Sequence, residues 1–98
     1  MEYEYQSSFV RDAKKLPKNI KEGIGEIIDT IQSAEQLSDI EGATKMVGYN
    51  NYYRIKVKSI KDFRIGFFLN EEGVIILSRI VARKDFYKIF LNLIKSPQ

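Results

Sequence analysis

Apolar and polar positions alternate along two neighbouring segments in the middle of the chain. Residues 53–58 read YRIKVK and residues 63–67 read FRIGF. This period of two predicts two strands, at about residues 52–58 and 63–69, each with one apolar face and one polar face. If the strands pair as a hairpin, four cations share the polar face and no carboxylate alternates with them. These cations are Arg54, Lys56, Lys58 and Arg64.

Two further segments have the character of strands. Residues 2–6 alternate two tyrosines with polar residues, which predicts a short strand. Residues 74–81 are apolar on both faces, which is typical of a central strand that is covered on both sides. Residues 70–73 form a turn-like link to the preceding strand. Residues 38–51 show no period, and their glycines and asparagines predict a loop.

Apolar positions spaced three and four apart predict three helices. The first covers residues 9–16, and Pro17 ends it because a proline disfavours helical backbone at the residue before it. The second follows directly and has one continuous apolar stripe, although Gly23 and Gly25 each weaken it by about 1 kcal/mol. The third covers residues 84–94 and carries several apolar side chains, including a phenylalanine pair, toward the interior.

The order of these elements is β-α-α-β-β-β-α. It predicts a single α+β domain over residues 1–98, built as an antiparallel sheet with an N-terminal helical hairpin packed on one face and a closing C-terminal helix. The hairpin should cover the apolar face that includes Ile55 and Ile65. The opposite, basic face would then stay open to a ligand.

The composition excludes several kinds of chemistry. The 98 residues include neither Cys nor His, so disulfides, thiolate zinc sites and imidazole general bases are unavailable. No apolar run approaches the roughly 20 residues that span a bilayer, and the N-terminus has no basic and then apolar signal region. We therefore expect a cytoplasmic protein that needs no metal or cofactor and does not associate with a membrane.

The net charge of +3 conceals an asymmetry between the two halves of the chain. Residues 1–42 hold five Lys or Arg and nine Asp or Glu, which gives −4, whereas residues 43–98 hold eleven and four, which gives +7. A basic half of this kind indicates a polyanionic partner, most often a nucleic acid. A solvated basic surface without a partner is the alternative.

Several short motifs follow one another in a fixed order along the chain. They are Lys-Lys-Leu-Pro at 14–17, Lys-Met-Val-Gly at 45–48, Tyr-Arg-Ile-Lys-Val at 53–57, Asp-Phe-Arg-Ile at 62–65 and Val-Ala-Arg-Lys-Asp-Phe-Tyr at 81–87. Together they resemble the RelE/ParE superfamily of toxins from type II toxin–antitoxin systems, over nearly the whole chain.

This resemblance implies a fold and a choice of functions. Members similar to RelE cleave mRNA in the ribosomal decoding site without a metal, by attack of a 2′-hydroxyl on the adjacent phosphate and departure of the 5′-hydroxyl. Members similar to ParE keep the fold but poison DNA gyrase. Both kinds are silenced by a cognate antitoxin that wraps the toxin.

The resemblance also assigns positions to individual residues. Arg54 and Lys56 match the basic pair of the second strand, Arg64 matches the arginine of the next strand, Arg83 or Lys84 matches the basic residue after the last strand, and Tyr87 matches an aromatic of the closing helix. Many members have His just before that last basic residue, where this chain has Ala82. The lysine- and tyrosine-based version of the mechanism is the one that remains.

The chemistry of RNA cleavage divides these residues by role. The 2′-hydroxyl needs a base, and Lys56 is the predicted one, because neighbouring cations would lower its pKa from about 10.4. Arg64 is predicted to bind the phosphate, because its planar fork grips two oxygens. Arg83 and Tyr87 share a face if the helix begins by Arg83. Tyr87 would then stack on a base or protonate the leaving 5′-oxygen.

Three further cations of the basic half, Arg54, Lys58 and Lys84, are predicted to bind RNA through its phosphates. The assignments of Lys56, Arg64 and Tyr87 each have a purely structural alternative. These alternatives are a solvated charge at Lys56, a surface ion pair of Arg64 with Asp62 or Glu71, and a core aromatic at Tyr87.

The prediction as a whole is a type II toxin that acts as a metal-independent, ribosome-dependent mRNA endoribonuclease, or mRNA interferase, and thereby inhibits translation and growth. Its partners would be a cognate antitoxin and mRNA in the ribosomal decoding site. Two alternatives remain open at this point. One is a gyrase poison similar to ParE, and the other is a non-catalytic relative that binds nucleic acid.

Overall fold

The computed structural model describes residues 1–46, 51–58, 62–86 and 88–89. Its elements are β1 (Tyr3–Tyr5), α1 (Ser7–Lys14), α2 (Lys18–Ser33), β2 (Thr44–Lys45), β3 (Tyr52–Val57), β4 (Phe63–Leu69) and β5 (Ile75–Ala82), with a short 3-10 turn at Leu37–Asp39. Residues 83–86 and 88–89 are helical and are called α3. Within these ranges, no helix has the length and apolar character needed to span a membrane.

The strands form one five-stranded sheet in the order β1-β5-β4-β3-β2. Strands β3, β4 and β5 make the predicted antiparallel meander, and β5 lies inside the sheet, as its apolar character indicated. Two features differ from the prediction. The strand β1 pairs parallel to β5, so the sheet is mixed and not purely antiparallel. The short strand β2, which pairs with β3, lies within the segment 38–51 that was predicted to be a loop. The α+β class is confirmed.

The main core lies between the helical hairpin and one face of the sheet. The apolar stripe of α2 packs against the apolar face of the meander, as predicted. The buried residues of this core are Ile20, Ile24, Ile27 and Ile31 from α2, and Ile55, Val57, Ile65, Phe67 and Ile80 from the strands. On the same face, the rings of Tyr53 and Phe67 stack with their centroids 5.4 Å apart. Because this face is covered, the cations between these residues are directed to the other side of the sheet.

Helix α1 continues the hydrogen bonding along β5 where β1 ends. The Ser8 hydroxyl donates to the Ser78 carbonyl oxygen at 2.7 Å, and the Ile80 N–H donates to Oδ2 of Asp12 at 2.9 Å. Asp12 also accepts two hydrogen bonds from the Arg79 guanidinium, at 2.6 Å from Nε and 3.1 Å from Nη2. The side chains of α1 therefore satisfy the backbone of β5 and fix the helix to the sheet.

The two glycines of α2 have different surroundings. A Cβ atom at Gly23 would lie 2.9 Å from the Lys58 carbonyl oxygen and 2.9 Å from Cγ1 of Val57, whereas nothing lies within 4 Å of a Cβ at Gly25. Gly23 thus permits the close approach of α2 to the end of β3, and this contact explains a glycine that the helical pattern alone could not.

Alanine at these two positions should change stability in opposite directions. We expect Gly23→Ala to lower the free energy of unfolding by about 1–3 kcal/mol, because the added methyl group overpacks against backbone. Gly25→Ala is the matched control and should raise it by up to about 1 kcal/mol through helix propensity. Urea denaturation of both variants measures the difference. Equal effects of the two substitutions would contradict the close approach at Gly23.

Candidate nucleic-acid interface

The face of the sheet opposite the main core carries three of the four cations that the alternation predicted, namely Arg54, Lys56 and Arg64. The fourth, Lys58, lies directly after β3 and outside the paired register. Lys56 of β3 lies directly opposite Arg64 of β4, and Arg64 lies opposite Val81 of β5. Residues that are directly opposite share a face, with Cβ atoms about 5 Å apart. Lys56 and Arg64 are thus brought together on one face by the strand register.

A second row of the same face contains Arg54, Gly66 and Arg79. The guanidinium of Arg79 forms an ion pair with Asp12 of α1, with 2.6 Å between Nε and Oδ2. Gly66, which has no side chain, separates Arg79 from Arg54. Arg79 therefore belongs to the contact between α1 and β5, and Arg54 is the cation of this row that extends the basic face next to Lys56.

The Asp62 carboxylate lies between two cations, Arg64 near the start of β4 and Arg83 directly after β5. Its Oδ1 accepts a hydrogen bond from Nη1 of Arg64, and its Oδ2 lies 3.8 Å from Nη1 of Arg83. A backbone hydrogen bond joins the same two segments, because the Arg83 N–H donates to the Asp62 carbonyl oxygen at 2.9 Å. The structural alternative for Arg64, an ion pair with Asp62, is thus present, and it lies within the predicted site.

The exposure of these side chains differs widely. Arg64 has 15% of its side-chain surface exposed, Asp62 has 40% and Arg83 has 72%. The hydrogen bond from Arg64 holds the pKa of the Asp62 carboxyl below its usual value, against the opposing effect of desolvation, and the charges of Arg64, Lys56 and Arg83 act in the same direction as the hydrogen bond. Asp62 therefore carries its full negative charge at neutral pH.

The sequence-based role of Lys56 as a base rests on its cationic neighbours alone. The structure brings the carboxylate of Asp62 into that cluster, and the sequence predicted it only as one of two alternative ion-pair partners of Arg64. A signal was available, because Asp62 precedes Arg64 by two residues and two residues is the repeat of one strand face. We refer to Lys56, Asp62, Arg64 and Arg83 below as the cation cluster.

The end of β5 leads from the cation cluster into α3. Arg83 begins the helical segment, as the prediction for a shared face with Tyr87 required, but Tyr87 itself lies outside the described residues. Asp62, Ala82, Arg83 and Lys84 line a surface hollow of about 520 Å³. Lys58, directly after β3, and Lys84 are both exposed. Both cations considered for the position after the last strand, Arg83 and Lys84, therefore line the same hollow.

The basic face is not open along its whole length, which corrects the prediction. Met46, Val81 and Phe86 are buried together, and Tyr52 and Ile89 pack against them. Val81 shares the row of Lys56 and Arg64, so this second apolar cluster lies on the side of the cations. The start of α3 therefore covers part of the face and bounds the cation cluster on one side.

No family model matches the sequence. The chain is 37% identical over 87 residues to the protein named Toxin RelE3 of Methanocaldococcus jannaschii, and the match covers 88% of this chain and 94% of that protein. The chain belongs to the RelE family of toxins. The resemblance of the short motifs to this family is thereby confirmed.

Solved structures of RelE proteins share the fold. The RelE of a RelB–RelE antitoxin–toxin complex from Methanococcus jannaschii matches with a TM-score of 0.71 and 35% identity, over 88% of this chain and 96% of that one. An E. coli RelE mutant in complex with a RelB peptide matches with a TM-score of 0.66 and 16% identity, over 92% and 95%. Because the sequence identity to the E. coli protein is only 16%, that similarity supports the fold alone.

Proposed function

We propose that this RelE family toxin is a metal-independent endoribonuclease that cleaves mRNA in the ribosomal decoding site and so inhibits translation. The observation that carries the proposal is the convergence of Lys56, Arg64 and Arg83 from β3, β4 and the start of α3 around one anionic position. Three cations from separate elements around one anion are suited to an RNA phosphate, because guanidinium groups bind phosphate oxygens in pairs.

The proposed reaction uses the residues of the cluster in different roles. Lys56 takes the proton of the 2′-hydroxyl, whose oxygen forms a bond to the adjacent phosphorus while the bond to the 5′-oxygen breaks. Arg64 binds the phosphate oxygens and stabilises the charge that develops on them. Arg83 adds a second cation at the phosphate, and Tyr87 protonates the leaving 5′-oxygen or stacks on a base. Arg54, Lys58 and Lys84 hold neighbouring phosphates.

The shallowness of the site supports the proposed dependence on the ribosome. Arg83 is 72% exposed, so the described part of the cluster does not enclose a nucleotide or fix its sugar in line with the leaving oxygen. Positioning of reacting groups contributes several kcal/mol to catalysis in general. In the proposal the decoding site supplies that positioning and the toxin supplies the charges, which places its action in the cytoplasm.

A cognate antitoxin completes the proposed function. The relatives with solved structures are RelB–RelE complexes, and we extend this pairing to the present chain, taken as one toxin domain. The basic C-terminal half favours an acidic, partly disordered antitoxin that covers the cation cluster or displaces α3. An association of this kind weakens as salt is added, because exposed charges are screened beyond about 8–10 Å.

Induced expression with mapping of mRNA ends tests the proposed function. We expect the wild-type chain to produce new 5′ ends in translated mRNA, and none when translation of that mRNA is blocked. Lys56→Ala should remove these ends and restore growth. Lys18→Ala, at the exposed start of α2, is the matched control and should behave like the wild type. Growth arrest with intact mRNA and broken DNA would instead identify a gyrase poison.

A further inference from the structure

The cation cluster contains an anion of its own. Each oxygen of the Asp62 carboxylate faces a different arginine, with Arg64 on one side and Arg83 on the other. A phosphate group would present two anionic oxygens to the same two guanidinium groups. The carboxylate therefore lies where the substrate phosphate is expected to bind.

We propose that Asp62 is an intramolecular placeholder for the RNA phosphate, which must displace it from Arg64 in order to bind. In the free protein, three cations and one carboxylate give the cluster a net charge of +2, and the same cations without the carboxylate would give +3. Asp62 thus makes the toxin bind anions more weakly than its cations alone would. The identity of the ligand as RNA rests on the proposed function.

The exchange needs only a movement of side chains. The backbone of Asp62 is held by the hydrogen bond from the Arg83 N–H, so the start of β4 stays in place. The Asp62 side chain is 40% exposed and has solvent into which it can rotate. The pair with Arg83 joins two exposed side chains, and exposed ion pairs are weak. The guanidinium of Arg64 is less exposed, so the phosphate competes with Asp62 mainly for this one partner. After the exchange, however, the carboxylate remains close to the phosphate and repels it.

A different role for Asp62 would give the opposite result on substitution. If the carboxylate served to orient Arg64 for phosphate binding, its removal would weaken binding, because the guanidinium would lose its position. If it is a placeholder, removal of its charge strengthens binding. The direction of the change in affinity therefore separates the two roles, and a gain in affinity is not a result that general damage to the fold produces.

Binding of a fluorescent 2′-O-methyl oligoribonucleotide to the full chain tests the proposal. This probe cannot be cleaved, because its attacking hydroxyl is blocked. We expect Asp62→Asn to bind it about fivefold more tightly than the wild type, which is the factor for removing one repulsive charge about 4 Å from a phosphate in water. Asp62→Ser should give the same gain, and Asp62→Glu, which keeps the charge, should give none.

Glu72→Gln is the matched control for net charge, since Glu72 is exposed in the turn between β4 and β5. A gain for Asp62→Asn no larger than that for Glu72→Gln, or a loss, would overturn the placeholder. Arg64→Ala should weaken binding in the same assay. If it binds as tightly as the wild type, the cluster is not the RNA site and the proposed function fails as well. If only the expected gain is missing, the proposed function survives and the placeholder does not.

Discussion

Arg64→Ala is expected to lower the rate of mRNA cleavage on the ribosome by at least about 100-fold, which corresponds to about 3 kcal/mol of transition-state stabilisation. Arg64 is the less exposed of the two arginines in the cluster, at 15% against 72% for Arg83, and it lies opposite Lys56. A donor fixed in this way acts on the phosphate as its charge grows, when the interaction is strongest. Single-turnover cleavage of mRNA on programmed ribosomes measures the loss.

Two further substitutions make this result specific to the site. Arg64→Lys keeps the charge but removes the planar fork, and should recover only part of the rate. Arg11 is an exposed arginine of α1 and lies outside the cation cluster. The Arg11→Ala variant should cleave mRNA at the wild-type rate. Cleavage by Arg64→Ala within a few-fold of the wild type would show that Arg64 is only the ion-pair partner of Asp62.

Asp12→Ala is expected to lower the free energy of unfolding by about 3 kcal/mol, the largest stability effect that we predict. The Asp12 carboxylate is 15% exposed and accepts hydrogen bonds from Arg79 and from the Ile80 N–H. Its removal leaves the partly buried guanidinium of Arg79 and the backbone N–H of Ile80, which lies beyond the end of β1, without their acceptor. Chemical denaturation monitored by circular dichroism measures the change.

Asp29→Ala is the matched control for Asp12→Ala. Asp29 is exposed on α2, and alanine favours the helix there, so its effect should stay within about 0.5 kcal/mol of zero. If both substitutions cost the same, the contacts of Asp12 with β5 do not stabilise the fold. A selective loss would show that the contacts of Asp12 with β5 stabilise the fold.

The strand pairing that forms the site could be predicted because it depends on local alternation. The period of two in β3 and β4 placed Lys56 and Arg64 on one face, and the register that pairs them follows once the apolar residues are buried together. The family resemblance then pointed to the same positions independently. Roles that depend on the RNA itself remain proposals, and Tyr87 lies outside the described residues.

The features that could not be predicted depend on contacts distant in sequence or on very short segments. Arg79 lies within an apolar strand, and its partner Asp12 is 67 residues away, so no local pattern connects them. The strand β2 has only two residues, both exposed, which is too short to show an alternation. Gly23 looked like a weakness of α2 because the backbone that approaches it belongs to Lys58, directly after β3 and far from α2 in the sequence.

The parallel pairing of β1 with β5 also constrains how the chain folds as it is synthesised. Tyr3 is paired with Ile75, so β1 cannot join the sheet until β5 has left the ribosome. Contacts of such high sequence separation form late and slow the folding of a domain. The five-stranded sheet of a nascent chain is therefore incomplete until β5 has been synthesised.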